Sequence, residues 1–153
     1  MPIAFTLNGH PITLDAAPTR LLLDILRNDL ALPGTRYGCG AEQCGACAVL
    51  VDGTPAYSCG RELGTIAGKA VTTVEGLGTP EVPSRLQQAF LVEQAGQCGY
   101  CLSGMLIAAT ALLDRNPTPS QADIVAALDP HLCRCGAHPR IVRAVARAAE
   151  ARP

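Results

Sequence analysis

Residues 37–53, YGCGAEQCGACAVLVDG, place three cysteines and three glycines within eleven positions and then turn at once to the apolar run AVLV. The cysteines are Cys39, Cys44 and Cys47, spaced C-x4-C-x2-C, and Cys59 follows after eleven intervening residues. This opening spacing is the plant-type [2Fe–2S] pattern. Three thiolates that converge on a small cluster need a loop that curls around it. Such a loop needs positions of positive φ, for which glycine carries no steric penalty, and Gly34, Gly38, Gly40 and Gly45 are expected to supply them. The same curl aims backbone N–H groups at the sulfurs and stabilises the negative charge of a cluster. Cys59, at the end of a strand expected over 56–59, would close the set.

The remaining four of the eight cysteines lie in QCGYC at 97–101 and LCRCG at 132–136. Cys98 and Cys101 form C-x2-C, and after thirty-one residues Cys133 and Cys135 form C-x-C. Each half stands just ahead of a predicted helix, where free N–H groups and the positive end of the helix dipole favour thiolates and an anionic cluster. A second [2Fe–2S] cluster is therefore expected between helix ends. Two other readings of the cysteines compete with this one. Four disulfides would suit a secreted chain, but Cys133 and Cys135 are too close to pair with each other. Zinc accepts four cysteinates, although C-x-C and C-x4-C-x2-C are poor zinc spacings.

Composition narrows the setting. The 153 residues are 48% hydrophobic with two Phe and no Trp, so the core must be aliphatic. Twelve basic and thirteen acidic residues leave a net charge of −1, which makes no electrostatic case for nucleic acid or an anionic membrane. No apolar run approaches the roughly 20 residues of a membrane span. The start MPIAFTLNGHPITL lacks the basic region and cleavage site of a signal peptide. A cytoplasmic location is expected, with any membrane association coming through a partner.

The chain divides at GLGTPEVP, residues 76–83, which no regular element can cross. Before it, IAFTL and PITL around Asn8-Gly9 read as a hairpin, and AVLV and AYSC around Asp52-Gly53 as another. A short amphipathic helix is expected over 20–30 and a last strand over 70–75. After the break, Ser84 caps a helix running to Gly96, a second covers 101–116, Ser120 caps a third, and a fourth covers 138–151 with a stripe of Ile141, Val142, Val145 and Ala149. The expected fold class is α+β: a β-grasp, ferredoxin-like domain over 1–78 and a four-helix-bundle [2Fe–2S] domain over 79–153.

Taken together, YGCGAEQCGAC, Cys59, QCGYC and LCRCG resemble, in order and spacing over essentially the whole chain, the small iron–sulfur subunit of the molybdenum hydroxylases of the xanthine oxidase family. The stretches LLLDILRNDLALPGTRYGCG and LCRCGAHPRIVRAVARAAE are most similar to the small subunits of nicotinate dehydrogenase and isoquinoline oxidoreductase, which act on N-heteroaromatic rings. The resemblance implies an electron-transfer subunit. Its helical quartet would hold a proximal cluster beside a molybdopterin cytosine dinucleotide, itself held mainly by a large partner subunit. Gln97 matches the glutamine that hydrogen-bonds the pterin, and Cys135 the ligand adjoining the pterin's amino edge. The β-grasp quartet would hold a distal cluster that passes electrons to an FAD subunit or a c-type cytochrome. One departure is CGYCLSG, where relatives have CGYCTPG, so Leu102 and Ser103 would alter the start of the helix without removing a ligand. Alternatives are the same role in an aldehyde or carbon monoxide dehydrogenase complex, or a free-standing two-cluster carrier.

Other residues read more plainly. His10 is an exposed turn residue, and His131 and His138 are structural or interfacial. Arg134, Arg140 and Arg143 read as a solvated helix face, with contact to a cofactor pyrophosphate as the alternative. Tyr100 is expected to pack on a partner or on the cluster loop, and Met105 in the core. No nucleophile–base pair, phosphate loop or pair of catalytic carboxylates is present, so substrate chemistry would belong to another chain.

Overall fold

Both predicted hairpins form, and their turns show why. Asn8 and Gly9 have φ of 49° and 83°, and Asp52 and Gly53 have 50° and 77°. Two successive positive angles match the right-handed twist of the strands on either side. In the computed structural model, which describes residues 1–151, these turns join β1 (Pro2–Leu7) to β2 (His10–Asp15) and β3 (Ala48–Val51) to β4 (Thr54–Tyr57). With β5 (Ala70–Thr72) they make one sheet in the order β2-β1-β5-β3-β4. β1 and β5 run parallel and the other pairs antiparallel.

Strand β1 alternates as a half-buried strand should, with Ile3, Phe5 and Leu7 turned inward. They pack with Leu22, Ile25, Leu26, Leu63 and Ile66 in an aliphatic core. Strand β3 is buried at all four positions because both of its faces are covered. Val49 and Val51 join the core just described, while Ala48 and Leu50 meet Ile107 and Ala111 of the helical half.

The helix expected over 20–30 is short and irregular. An α-turn, α1 (Leu22–Asp24), passes into a π-turn over Ile25–Asp29, closed by Leu30 N–H donating to Ile25 C=O at 3.0 Å. Arg20 reaches both Asp24 and Asp29, clamping the two ends of the widened turn. The last strand ends at Thr72 rather than 75, and Val74–Gly76 is a 3₁₀ turn. The Asn8 side chain takes over there: its carbonyl accepts from Thr73 N–H at 2.8 Å and its amide donates to Thr73 Oγ1 at 3.0 Å.

Four helices follow: α2 (Arg85–Val92), α3 (Leu102–Arg115), α4 (Gln121–Leu128) and α5 (His138–Glu150). Ser84 and Ser120 each cap with a full capping box. The end of α2 differs from expectation. No glycine turns the chain; Gln94, at φ 48°, takes the left-handed position. Ala95 N–H then bonds Phe90 C=O and Gln94 N–H bonds Leu91 C=O, a Schellman pair without its usual residue. Phe90, Met105, Ile124, Leu128, Ile141 and Val145 centre the helical core. No helix among the described residues is long and apolar enough to cross a membrane.

Candidate functional site: two cysteine clusters in contact

Cys39, Cys44 and Cys47 of the first quartet sit on the loop between the π-turn and β3. Cys39 is exposed, while Cys47 and Cys59 are buried under Leu23 and Tyr57. Cys59 lies two residues beyond β4, not at its end. Ser58, fully buried, holds it there by donating from both its hydroxyl (2.7 Å) and its N–H (3.2 Å) to the Cys47 carbonyl. Nothing in the sequence singles out Ser58 for that tie. Among the causes acting on these thiols, Cys44 bears on Cys39 and Cys59 on Cys47.

Only part of the glycine expectation holds. Gly40 and Gly45 have positive φ, 67° and 79°, but Gly34 and Gly38 do not, and Glu42 takes φ 57° in their place. Gly38 is required for space instead, since a Cβ there would lie 2.6 Å from Cys44 Sγ. Likewise a Cβ on Gly34 would meet the Glu75 carboxylate, which accepts from Gly34 N–H at 2.7 Å.

The curl does aim N–H groups at sulfur. Ala41 and Gln43 donate to Cys39 Sγ at 3.3 and 3.2 Å, and Cys39 N–H donates to Cys44 Sγ at 3.4 Å. The Ala41, Gln43 and Cys44 backbone N–H groups bring the Cys39 thiol down to about 6, so it ionises readily. Burial and then the neighbouring Cys59 push Cys47 up to about 11. The loop thus offers an exposed, thiolate-forming cysteine on one side and a buried thiol on the other, which a bound cation would help to deprotonate.

The second quartet is built from helix starts. Cys101 is the N-cap of α3, and Cys133 and Cys135 lead into α5, whose N-cap is Ala137. Tyr100 N–H donates to Cys98 Sγ and Ala137 N–H to Cys133 Sγ, both at 3.4 Å. The Tyr100 N–H and then Cys135 lower the Cys98 thiol, while burial and then Cys133 push Cys101 up to about 12. Burial opposes ionisation of Cys133 too, but the Ala137 N–H and the Cys101 thiol outweigh it and the thiol is lowered. All four thiols of this quartet therefore act on one another, although Cys98 and Cys101 come from one segment and Cys133 and Cys135 from another.

Four thiols at each site suit a two-iron cluster, which takes two thiolates per iron. Among the described residues no three His, Cys, Asp or Glu side chains converge on a single metal ion. Leu102 and Ser103 both lie in the first turn of α3, and the Ser103 hydroxyl is buried without a partner.

The two loops touch. Leu132 N–H donates to Cys44 C=O at 3.0 Å. Tyr100 Oη donates to Tyr37 C=O, and the Arg36 guanidinium lies 4.9 Å above the Tyr100 ring. Tyr100 therefore packs on the first loop. His131 is 5% exposed, with its ring beside Gly45 and Nδ1 unpartnered. Burial holds its imidazole below the usual value, against a smaller opposite effect of the Gly45 backbone. Its carbonyl meets His138 Nε2 at 3.1 Å. Arg143 pairs with Glu93, as does Arg147, on the solvent side of α5, and Arg134 is exposed.

Gln97 is exposed, and among the described residues its amide has no partner. It borders a cleft of about 630 Å³ walled by Phe90, Leu91, Leu102 and Leu106.

Comparison with known proteins agrees with this arrangement. Residues 5–71 match the family described as "2Fe-2S iron-sulfur cluster binding domain" and residues 73–146 the "[2Fe-2S] binding domain" family. The chain is 53% identical to one subunit of the nicotinate dehydrogenase of Pseudomonas putida, over 98% of this chain and 96% of that one. It is 47% identical to the alpha subunit of isoquinoline 1-oxidoreductase of Brevundimonas diminuta, over 97% of each. The crystal structure of quinoline 2-oxidoreductase from Pseudomonas putida 86 superposes with a TM-score of 0.93 at 38% identity, covering 99% of this chain and 94% of that one. The chain carries two [2Fe–2S] cluster-binding domains and belongs to the family of small iron–sulfur subunits of the molybdenum hydroxylases.

Proposed function

We propose that this chain is the electron-transfer subunit of a molybdenum-dependent complex that hydroxylates an N-heteroaromatic ring. The observation that carries the reading is the pair of complete cysteine quartets on loops that touch. Cys39, Cys44, Cys47 and Cys59 are the ligands of a distal cluster, and Cys98, Cys101, Cys133 and Cys135 those of a proximal one. When bound, the clusters relay single electrons from a molybdopterin site on a large partner subunit to an external acceptor, either an FAD subunit or a c-type cytochrome. The protein's part is to hold the thiolates, to stabilise their charge with backbone N–H groups and to exclude water from the inner ligands.

Gln97 and Cys135 face the molybdopterin cytosine dinucleotide. The unpartnered amide of Gln97, able both to donate and to accept, beside an apolar cleft supports this. Exposed apolar side chains around the quartets, Leu91 at 72% and Leu132 at 65%, favour a subunit over a free carrier. The names of the relatives support the ring class. We place the division between the domains at residue 78, in the irregular segment between the sheet and α2.

Iron and acid-labile sulfide should each reach about four per chain, with two reduced-state EPR signals. Stoichiometric zinc, or a single signal integrating to one spin, would overturn the reading. In the purified complex, Gln97→Ala should leave both cluster spectra intact and slow their bleaching by substrate. Bleaching at the parental rate would assign Gln97 to the turn alone.

A further inference from the structure

One contact between the two cysteine loops is made where side chains are missing. Gly45 follows Cys44, Gly104 stands three residues past Cys101 in the first turn of α3, and His131 precedes Cys133 by two. These three residues meet. A Cβ on Gly104 would lie 3.0 Å from the Gly45 carbonyl carbon, closer still to its oxygen, and 3.1 Å from His131 Nδ1. A Cβ on Gly45 would lie 2.8 Å from His131 Cγ. Ordinary contacts between such atoms are about 3.5–4.0 Å, so any side chain at either glycine must push the loops apart. The neighbouring bond from Leu132 N–H to Cys44 C=O, at 3.0 Å, joins the same two backbones. His131 fills the remaining space, buried and with no partner for Nδ1.

We propose that Gly45, Gly104 and His131 form a spacing junction that sets the distance between the two clusters, acting as positioning residues for electron transfer from one cluster to the other. This rests on the two-cluster reading above. The junction touches ligand-bearing segments of both quartets but contributes no ligand. Its residues lie in packed surroundings, where a shift of a few tenths of an ångström is transmitted rather than absorbed. Because close approach of two backbones is what glycine permits, the separation depends on the absence of two methyl groups.

The test is Gly104→Ala in the full chain within its complex, with His131→Ala as a second variant that inserts no bulk. Iron and sulfide analysis first establishes that the parent holds two clusters; a parent with fewer would sink both this proposal and the function it rests on. With both clusters reduced, the magnetic splitting between their EPR signals reports their separation. The expected result for Gly104→Ala is full iron content, g values close to the parent's, a reduced splitting and a slower cluster-to-cluster step after flash or substrate reduction. His131→Ala should move the splitting the other way, raising it, as the loops close on the space their wedge leaves. A role confined to stability would lower the melting temperature and leave the splitting unchanged. Parental splitting in both variants would overturn the proposal, and if Gly104→Ala fails to assemble, parental splitting in His131→Ala alone would do so.

Discussion

The two cysteine sites reach the same donor set by opposite routes. The first draws three of its four cysteines from nine consecutive residues, and one curled loop orients them with its own N–H groups. The second draws two cysteines from each of two segments thirty-one residues apart, and each pair depends on where a helix begins. A local loop is shaped mainly by its own residues. A site made of two helix starts exists only when the helices are packed, so its geometry is a property of the core beneath it.

This contrast can be broken or sharpened by experiment. The largest effect is expected from Cys44→Ser, which should remove the first cluster and lower iron from about four to about two per chain. The EPR signal of the helical site should survive, because its ligands hang on a separate core. Loss of both signals would show that the contact of β3 with Ile107 and Ala111, and the bond between Leu132 and Cys44, make the two halves one folding unit.

Next comes Ile141→Ala. Ile141 is fully buried near the start of α5, one helical turn beyond its N-cap Ala137. Removing its side chain should cost about 2–5 kcal/mol, measured by thermal or denaturant unfolding. The helical site should lose its absorption before the loop site does. If both bleach together, the second site is no more dependent on the core than the first.

A smaller effect is expected from Ser84→Ala, which breaks the capping box that Ser84 forms with Gln87. The cost should be about 1 kcal/mol, seen as roughly fivefold faster amide exchange in α2. Neither cluster spectrum should change, since α2 carries no cysteine.

The smallest is Glu93→Gln. Hydrogen bonds from Arg147, and then Arg143, hold the Glu93 carboxyl below its usual value. A group lowered in this way adds stability above its unfolded value and loses it as pH falls through the folded one. The substitution should therefore destabilise slightly at neutral pH, and the difference from the parent should vanish in acid. Because both arginines are more than half exposed, added salt should erase it as well. An equal difference at all pH values would mean that Glu93 acts by packing.

Much of this was legible in the letters. Asn8-Gly9 and Asp52-Gly53 announced their turns because few other pairs tolerate two positive φ angles. The misreadings were local as well. Glycine at 34 and 38 signals close approach as well as rotation, and only the neighbours of a Cβ distinguish the two. The 20–30 stretch has helical spacing, but Arg20 binding both Asp24 and Asp29 accompanies a wider turn that spacing cannot convey. Nothing in the spacing marked Ser58, whose work is done against a carbonyl eleven residues away.

By itself the sequence determined that there are two sulfur sites, which cysteines belong to each, and that one sits on a loop and the other at helix starts. Those are matters of residue type and short-range spacing, and local chemistry carries them. Only the tertiary structure decided that Tyr100 of the second loop reaches the Tyr37 carbonyl of the first. It alone decided that Gly45, Gly104 and His131 meet. The reason is physical: these contacts join segments up to 86 positions apart, and their geometry is set by how α3 lies on β3 and how α5 packs within the helices, which no spacing rule within a single segment contains.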